Sequence, residues 1–243
     1  MDVVLDASSD VLLRDLRPND APALHASHKK LFPLDYEPAF FLQACGAAEQ
    51  ASEGTASGDD VMFAIGAVDR KRNRQELVGF VTARVETYGK RAAEEGLTLP
   101  FALQHCVWER RRTLYILTLG VEEAFRRRGV ATRLVKAALD VATRMHGCTV
   151  AYLHTIEYNH PAIQFYSSLG FTAVKSVRDF YEVRSGRTPY PDRSKFDALL
   201  FVLSVDDKSR EPLDTYDEDD KHSCGIVPYP QWSWLRRLFA RVS

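Results

Sequence analysis

The chain has 243 residues, a formal net charge of −1 and 45% apolar residues. This apolar content is enough for a substantial core, and the balanced charge argues against a general nucleic-acid-binding surface. The four cysteines lie far apart with no C-x-x-C pair, so we expect no metal site, no disulfide framework and reduced thiols. The first residues lack the basic segment of a secretory signal, and no apolar run approaches the roughly 20 residues of a membrane span. Any membrane contact is therefore expected to be peripheral.

The N-terminal half is predicted to contain three strands and one helix. The segment Arg17-Pro18-Asn19-Asp20 ends the first strand and caps the helix, because proline and aspartate are favoured at helix starts. The predicted elements are a strand at 11–16, a helix at 21–30, and the two strands of a hairpin with a basic tip at 61–68 and 77–85. Residues 1–10 are an N-terminal extension, residues 46–60 a loose connection, and residues 88–112 a connection without a predicted element.

The next segment combines an apolar strand, a basic turn and a helix. The strand covers residues 115–121, the turn is Arg126-Arg127-Arg128-Gly129, and apolar residues then recur with helical period over residues 130–146. In this order the free N–H groups of the helix start converge on one spot, which favours a phosphate or pyrophosphate, and the arginines add positive charge. An ordinary strand-to-helix connection with solvated arginines is the alternative.

The C-terminal half is predicted to complete the sheet and to end in a tail. Asn159-His160-Pro161 caps a short helix that Gly170 ends. The strands of this half are predicted at 149–155, 173–183 and 196–205. Residues 206–231 are predicted to be an acidic linker, since residues 206–221 hold eight acidic and three basic side chains. As a helix, residues 232–243 would have an apolar face opposite three arginines, which is typical of an interfacial membrane helix; docking on the folded domain is the alternative.

Two motifs resemble those of a known enzyme family. The order Arg126-x-x-Gly129-x-Ala131 resembles the acetyl-CoA signature of the GCN5-related N-acetyltransferases (GNATs), and Asn159-x-x-Ala162-x-x-Phe165-Tyr166-x-x-x-Gly170-Phe171 fits the same enzymes. The resemblance implies an α/β (α+β) GNAT fold over residues 11–205, with a central mixed, mostly antiparallel, twisted sheet flanked by helices. Blocks at 31–36, 115–121 and 152–154 are similar to the Golgi-associated N-alpha-acetyltransferases of the NatF type.

The resemblance implies that acetyl-CoA is the cosubstrate. In such enzymes strand backbone holds the pantetheine arm, and the basic turn wraps the pyrophosphate. The residues implied in this binding are Leu119, Gly120, Val121, Arg127, Arg128, Gly129, Val130, Ala131, Thr132, Asn159 and Tyr166. Taken alone, Tyr166 would be interpreted as a core aromatic on an amphipathic helix.

The resemblance also implies two catalytic bases, Tyr115 and His154, which could approach the thioester from one side if their strands are neighbours. An α-amine has a pKa of about 7.7–8.0 against about 10.4 for lysine, a difference of roughly 3–4 kcal/mol, so a modest base suffices for a protein N-terminus. Tyrosine, with a reference pKa of about 10, is a weak base unless its surroundings lower that value. Alternatively, His154 is a histidine at a strand end whose hydrogen bonds are satisfied, and Tyr115 is a half-buried strand tyrosine.

The implied peptide site holds an N-terminal methionine and the residue after it. It combines an apolar wall at a helix end, polar contacts, and aromatics between the last two strands. The residues implied are Phe32, Pro33, Asp35, Tyr36, Phe180 and Tyr181. The family commonly has tyrosine where this chain has Phe180, so the lost hydroxyl is expected to alter selectivity. Alternatively, these residues simply end a helix and belong to the sheet.

We therefore expect an acetyl-CoA-dependent N-alpha-acetyltransferase that acts on N-termini with Met followed by an apolar residue or Lys, by direct attack in a ternary complex. The alternatives are a lysine or histone acetyltransferase and a catalytically weak acetyl-CoA-binding module recruited to membranes. The resemblance implies a peripheral position on the cytosolic face of Golgi or other membranes through residues 232–243, with a soluble cytoplasmic location as the alternative. No nucleic acid, metal or obligate partner subunit is expected.

Overall fold

The computed structural model describes residues 10–34, 36–46, 60–71, 76–87, 112–183, 188–190 and 192–205. Asp35, the predicted acidic linker, the predicted tail and nearly all of the N-terminal extension lie outside these ranges, as do most residues of the connections at 46–60 and 88–112. The strands are β1 (Val11–Asp15), β2 (Val61–Asp69), β3 (Leu77–Thr87), β4 (Arg112–Val121), β5 (Val150–Ile156), β6 (Thr172–Glu182) and β7 (Lys195–Ser204). The helices are α1 (Ala21–Leu31), α2 (Pro38–Ala44), α3 (Val130–His146) and α4 (His160–Ser168), with short 3₁₀ turns at Pro18–Asp20 and Glu123–Phe125.

The seven strands form one mixed sheet in the order β1-β2-β3-β4-β5-β7-β6. Neighbouring strands are antiparallel except β4 and β5, which are parallel. A parallel pair needs a crossover connection, and α3 supplies it. The prediction of a mixed, mostly antiparallel sheet flanked by helices is confirmed.

Helix α3 covers one face of the sheet. Its buried residues Leu134 and Val135 belong to the same core cluster as Val81 of β3 and Leu114 of β4. Glycines with left-handed backbone bound the helix at both ends, at φ +74° for Gly129 and φ +66° for Gly147. None of the helices in the described ranges is both long and apolar enough to cross a membrane.

Helices α1 and α2 cover the other face. Leu24 and Phe41 pack there in a second core cluster with Phe80 of β3. Since Phe80 and Val81 are adjacent on β3, their side chains lie on opposite faces, and β3 is buried from both sides. Helix α2 was not predicted from the sequence. It has only seven residues and begins at Pro38, so its apolar pattern is too short to show helical period.

Candidate active site

A cavity of about 290 Å³ lies where β4 and β5 separate. The parallel pairing of these strands covers only Thr113 to Ile116 of β4 and ends at the pair Ile116 and Leu153. The predicted residues that line the cavity are Phe32, Pro33, Tyr36, Leu119, His154, Asn159, Tyr166 and Tyr181. The cavity wall therefore unites residues that the sequence assigned separately to the cosubstrate, the peptide and the chemistry.

The β4 backbone is irregular beside this cavity. Its register with β3 moves from Thr82 and Thr118 to Ala83 and Ile116, so Leu117 is an extra, bulged residue. Leu117, Thr118 and Leu119 line the cavity without pairing to β5. Strand backbone that pairs on one side only can bind an extended chain such as the pantetheine arm.

The basic turn lies beyond the end of β4, outside the cavity wall. Arg126, Arg127 and Arg128 are exposed, and Arg127 and Gly129 have left-handed backbone at φ +62° and +74°. No side chain caps the first turn of α3, so its N–H groups are available to an anion. The uncapped helix start and the exposed arginines together fit a pyrophosphate group. Val130, Ala131 and Thr132 form this first turn, as predicted.

The two predicted bases meet across the β4–β5 pair. Tyr115 is the register partner of Tyr152, and His154 follows two residues later on the same face of β5. The Tyr115 Oη and His154 Nδ1 atoms are 3.0 Å apart, which is a hydrogen-bond distance. Tyr115 itself is not among the residues that line the cavity, so His154 is the member of the pair on the cavity wall.

His154 is held in an apolar setting. Its ring stacks on Phe180 with centroids 4.1 Å apart and an angle of 17°. Burial lowers the pKa of His154 to about 4, so the imidazole is neutral at physiological pH. Phe180 was predicted to contact the peptide, but the structure places it against His154 rather than on the cavity wall.

Two buried polar atoms of cavity-lining residues have no hydrogen-bond partner within the described ranges. They are His154 Nε2 and Tyr158 Oη. A buried polar atom without a partner costs free energy, and such atoms occur at sites where a ligand or water completes the bonding. With Nδ1 occupied by Tyr115, Nε2 is the ring nitrogen that remains for a substrate.

The aromatic part of the wall is anchored by a buried histidine on α1. His28 is 1% exposed; its ring stacks on Phe32 at 4.5 Å and meets the edge of Tyr36 at 5.0 Å. Burial raises the pKa of Tyr36 and of Tyr181, so both hydroxyls stay protonated and can donate. Asp35, the remaining predicted peptide contact, lies outside the described residues.

Some residues of the site were not assigned a role from the sequence. Tyr158 lines the cavity, Arg84 and Tyr152 contact the Tyr115 ring, and Glu86 bonds to both of these residues. Strand alternation could have identified Tyr152, which shares a face with His154. Glu86 is an acid near the end of β3, which is a weaker signal.

The pH dependence of stability tests the environment of His154. In the unfolded chain its imidazole takes up a proton near pH 6.5, whereas in the folded protein it does so only near 4. The unfolded state binds more protons in this window, so the free energy of unfolding falls as the pH falls from 6.5 towards 4. Between about pH 7.5 and 5, this group should remove about 2 kcal/mol.

Urea unfolding of the wild type and of His154→Gln at both pH values checks this. The variant should lose about 2 kcal/mol less than the wild type on acidification, whereas the exposed His160→Gln control should follow the wild type. Equal losses in the wild type and His154→Gln would contradict the assigned environment.

Comparison with known proteins shows which family this sequence matches. Residues 29–171 match the acetyltransferase (GNAT) family. Histone acetyltransferase MCC1 of Arabidopsis thaliana is 34% identical over 203 residues, which cover 82% of this chain and 71% of that protein. N-alpha-acetyltransferase 60 of Drosophila melanogaster is 26% identical over 201 residues, covering 75% and 67%.

A solved structure shows the same fold with the cosubstrate present. Arabidopsis thaliana NAA60 in complex with acetyl-CoA aligns with a TM-score of 0.62 and 29% identity, covering 80% of this chain and 98% of that one. The sequence resemblance is thus confirmed at the level of family and cosubstrate. The chain belongs to the GNAT acetyltransferase family and uses acetyl-CoA as its cosubstrate.

Proposed function

We propose that this protein acetylates the α-amine of protein N-termini that begin with Met followed by an apolar residue or Lys, by direct attack in a ternary complex. The observation that carries the proposal is the Tyr115–His154 pair, 3.0 Å apart, beside a cavity whose wall includes Phe32, Pro33 and Tyr36. An apolar and aromatic wall suits a methionine side chain, because it buries the thioether among rings. The similarity to N-alpha-acetyltransferase 60 of Drosophila melanogaster and to Arabidopsis NAA60 supports the choice of acceptor.

In the proposed reaction the amine nitrogen bonds to the acetyl carbon as the carbon–sulfur bond breaks. The amine proton passes to His154 Nε2, directly or through a water, while Nδ1–H donates to the Tyr115 oxygen. The thiolate that leaves takes up a proton from solvent. Neutral His154 can accept this proton because burial favours its uncharged form before the reaction.

The pKa difference between the two amines favours an α-amine over lysine as the acceptor, whichever base takes the proton. An α-ammonium lies about 4 pKa units above His154, which costs about 5 kcal/mol for proton transfer. A lysine ammonium lies about 6 units above it, which costs about 9 kcal/mol. Proton transfer to His154 therefore costs roughly 3–4 kcal/mol less from an N-terminus than from lysine.

Lysine or histone acetylation is the second candidate. The Arabidopsis relative MCC1, 34% identical over 203 residues, carries the name histone acetyltransferase. That name supports this candidate, whereas the proton-transfer cost given above opposes it. A peptide assay separates the two.

Peptides with free and blocked α-amines provide this assay. Free peptides that begin with Met-Leu or Met-Lys should be acetylated at least tenfold faster than the same peptides with a blocked α-amine, because only the α-amine has a pKa near neutrality. Initial rates of CoA release and the mass of the products measure this. Equal rates on the blocked, lysine-containing peptide would refute the proposed acceptor.

Substitution of the pair tests the proposed chemistry. Tyr115→Phe and His154→Ala should each lower kcat by more than tenfold, since the first removes the oxygen that orients the imidazole and the second removes the proton acceptor. The exposed Tyr190→Phe and the half-buried His146→Gln serve as matched controls, with circular dichroism to verify folding. Wild-type kcat in both Tyr115→Phe and His154→Ala would exclude the pair from the mechanism.

We also propose that residues 232–243 attach the protein to the cytosolic face of Golgi or other membranes. The support is the sequence pattern alone: three arginines, two tryptophans and no acid, with apolar residues at helical spacing.

Deletion after Pro230 should move the protein from anionic vesicles to the soluble fraction without a change in peptide turnover. Replacement of the three arginines by glutamine is the control for charge, and an unchanged vesicle-bound fraction after the deletion would contradict the proposal.

A further inference from the structure

A largely buried polar group lies beside Tyr115, outside the cavity wall. It consists of Arg84 and Glu86 on β3 and Tyr152 on β5. Glu86 and Tyr152 are each 4% exposed, and none of these three described residues lines the cavity. The group is therefore separate from the wall that a substrate would touch.

One carboxylate joins the other two members. Glu86 Oε1 accepts a hydrogen bond from the Tyr152 hydroxyl, and Glu86 Oε2 lies 2.8 Å from Arg84 Nε. Each oxygen of the carboxylate thus holds one partner. A buried carboxylate is costly unless it is paired in this way, and apolar residues in place of all three members of such a group are often no less stable. Core packing therefore does not account for the choice of glutamate here.

Both partners of Glu86 contact the Tyr115 ring. Arg84 is the register partner of Tyr115 on β3, and Tyr152 is its register partner on β5, so the three form one row across the sheet. The Arg84 Cζ atom lies 5.5 Å from the centre of the Tyr115 ring. The Tyr152 ring stacks on it at 4.7 Å, with an angle of 7°. Tyr115 is thereby held by a cation on one neighbouring strand and an aromatic ring on the other.

We infer that Glu86 is a positioning residue for the acetyl transfer: by holding both Arg84 and Tyr152, it fixes the Tyr115 ring so that its hydroxyl stays on His154 Nδ1. This inference rests on the role of Tyr115 in the proposed function. Without the carboxylate, the Arg84 charge loses a partner and the buried Tyr152 hydroxyl loses its acceptor. The Tyr115 ring is then free to tilt away from His154, which slows the chemical step and leaves substrate binding unchanged.

Two conservative variants separate the parts of this arrangement. Glu86→Gln keeps an oxygen for the Tyr152 hydroxyl but removes the charge that pairs with Arg84. Tyr152→Phe keeps the stacked ring but removes the hydroxyl. Each should lower kcat about five- to twentyfold with unchanged KM for the peptide and unchanged acetyl-CoA affinity. The exposed Glu123→Gln is the matched control and should leave kcat unchanged.

A double-mutant cycle with Tyr115→Phe shows whether Glu86 acts through Tyr115. If it does, adding Glu86→Gln to Tyr115→Phe should produce no further loss of kcat, because the group being positioned is already absent. An additive loss would overturn the inference and indicate a general effect on folding, which the thermal midpoint of each variant would show independently. Wild-type kcat in Glu86→Gln would also overturn it.

The failures of the two ideas are distinguishable. If Tyr115→Phe has a reduced kcat while Glu86→Gln has the wild-type kcat, or its loss adds to that of Tyr115→Phe, the inference fails and the proposed function stands. If Tyr115→Phe turns over at the wild-type rate, the proposed role of Tyr115 fails, and the inference fails with it.

Discussion

The separation of two parallel strands is the constraint on which the site depends. β4 and β5 pair over four residues and then part after Ile116 and Leu153. Tyr115 lies in these paired rows and His154 directly follows them, which leaves the two side chains within hydrogen-bond distance. Beyond them, the gap provides the cavity, and it leaves Leu117 to Leu119 without a strand partner on the β5 side. The same departure from regular pairing therefore positions the proposed bases and exposes the backbone on which an extended cosubstrate can lie.

The polar groups of the site differ in kind on the two sides of Tyr115. Beside it, Glu86 is paired with both Arg84 and Tyr152, so the buried charge there is compensated. On the cavity side, His154 is kept neutral by burial, and its Nε2 has no partner within the described ranges. The charged Glu86–Arg84 pair thus lies where the position of the Tyr115 ring is fixed, and the uncharged Nε2 of His154 lies where the proton is to be accepted. A charged histidine would already hold the proton that the amine has to give up.

The sequence predicts those helices and strands whose pattern lies within one short segment. It does not predict contacts that depend on the register between strands. The β4 strand, the Arg-Gly turn and α3 were predicted because apolar period and glycine are readable within about 30 residues. Helix α2 was missed because seven residues are too few for a period. The stack of Phe180 on His154 was not predicted: the register of β6 shifts between Val177 and Tyr181, where Asp179 has φ +52°, and no local pattern indicates such a shift. The row formed by Arg84, Tyr115 and Tyr152 depends on register across three strands, which no local pattern specifies.

The packing at Gly120 connects the strand assigned to the cosubstrate with the aromatic wall proposed for the peptide. From the sequence, this glycine was assigned to the pantetheine arm, but it is not on the cavity wall. A Cβ at this position would lie 2.9 Å from Leu31 Cδ1, 3.0 Å from Phe80 Cζ and 3.1 Å from Phe32 Cε2. These distances are shorter than ordinary Cβ contacts, so a side chain at position 120 would require the neighbouring Leu31, Phe32 and Phe80 side chains to shift. Phe32 forms part of the aromatic wall, and it is therefore seated directly on the strand whose backbone lines the cavity. A side chain at position 120 would press against the Phe32 ring, so the glycine helps to seat the proposed peptide wall even though it belongs to the strand assigned to the cosubstrate.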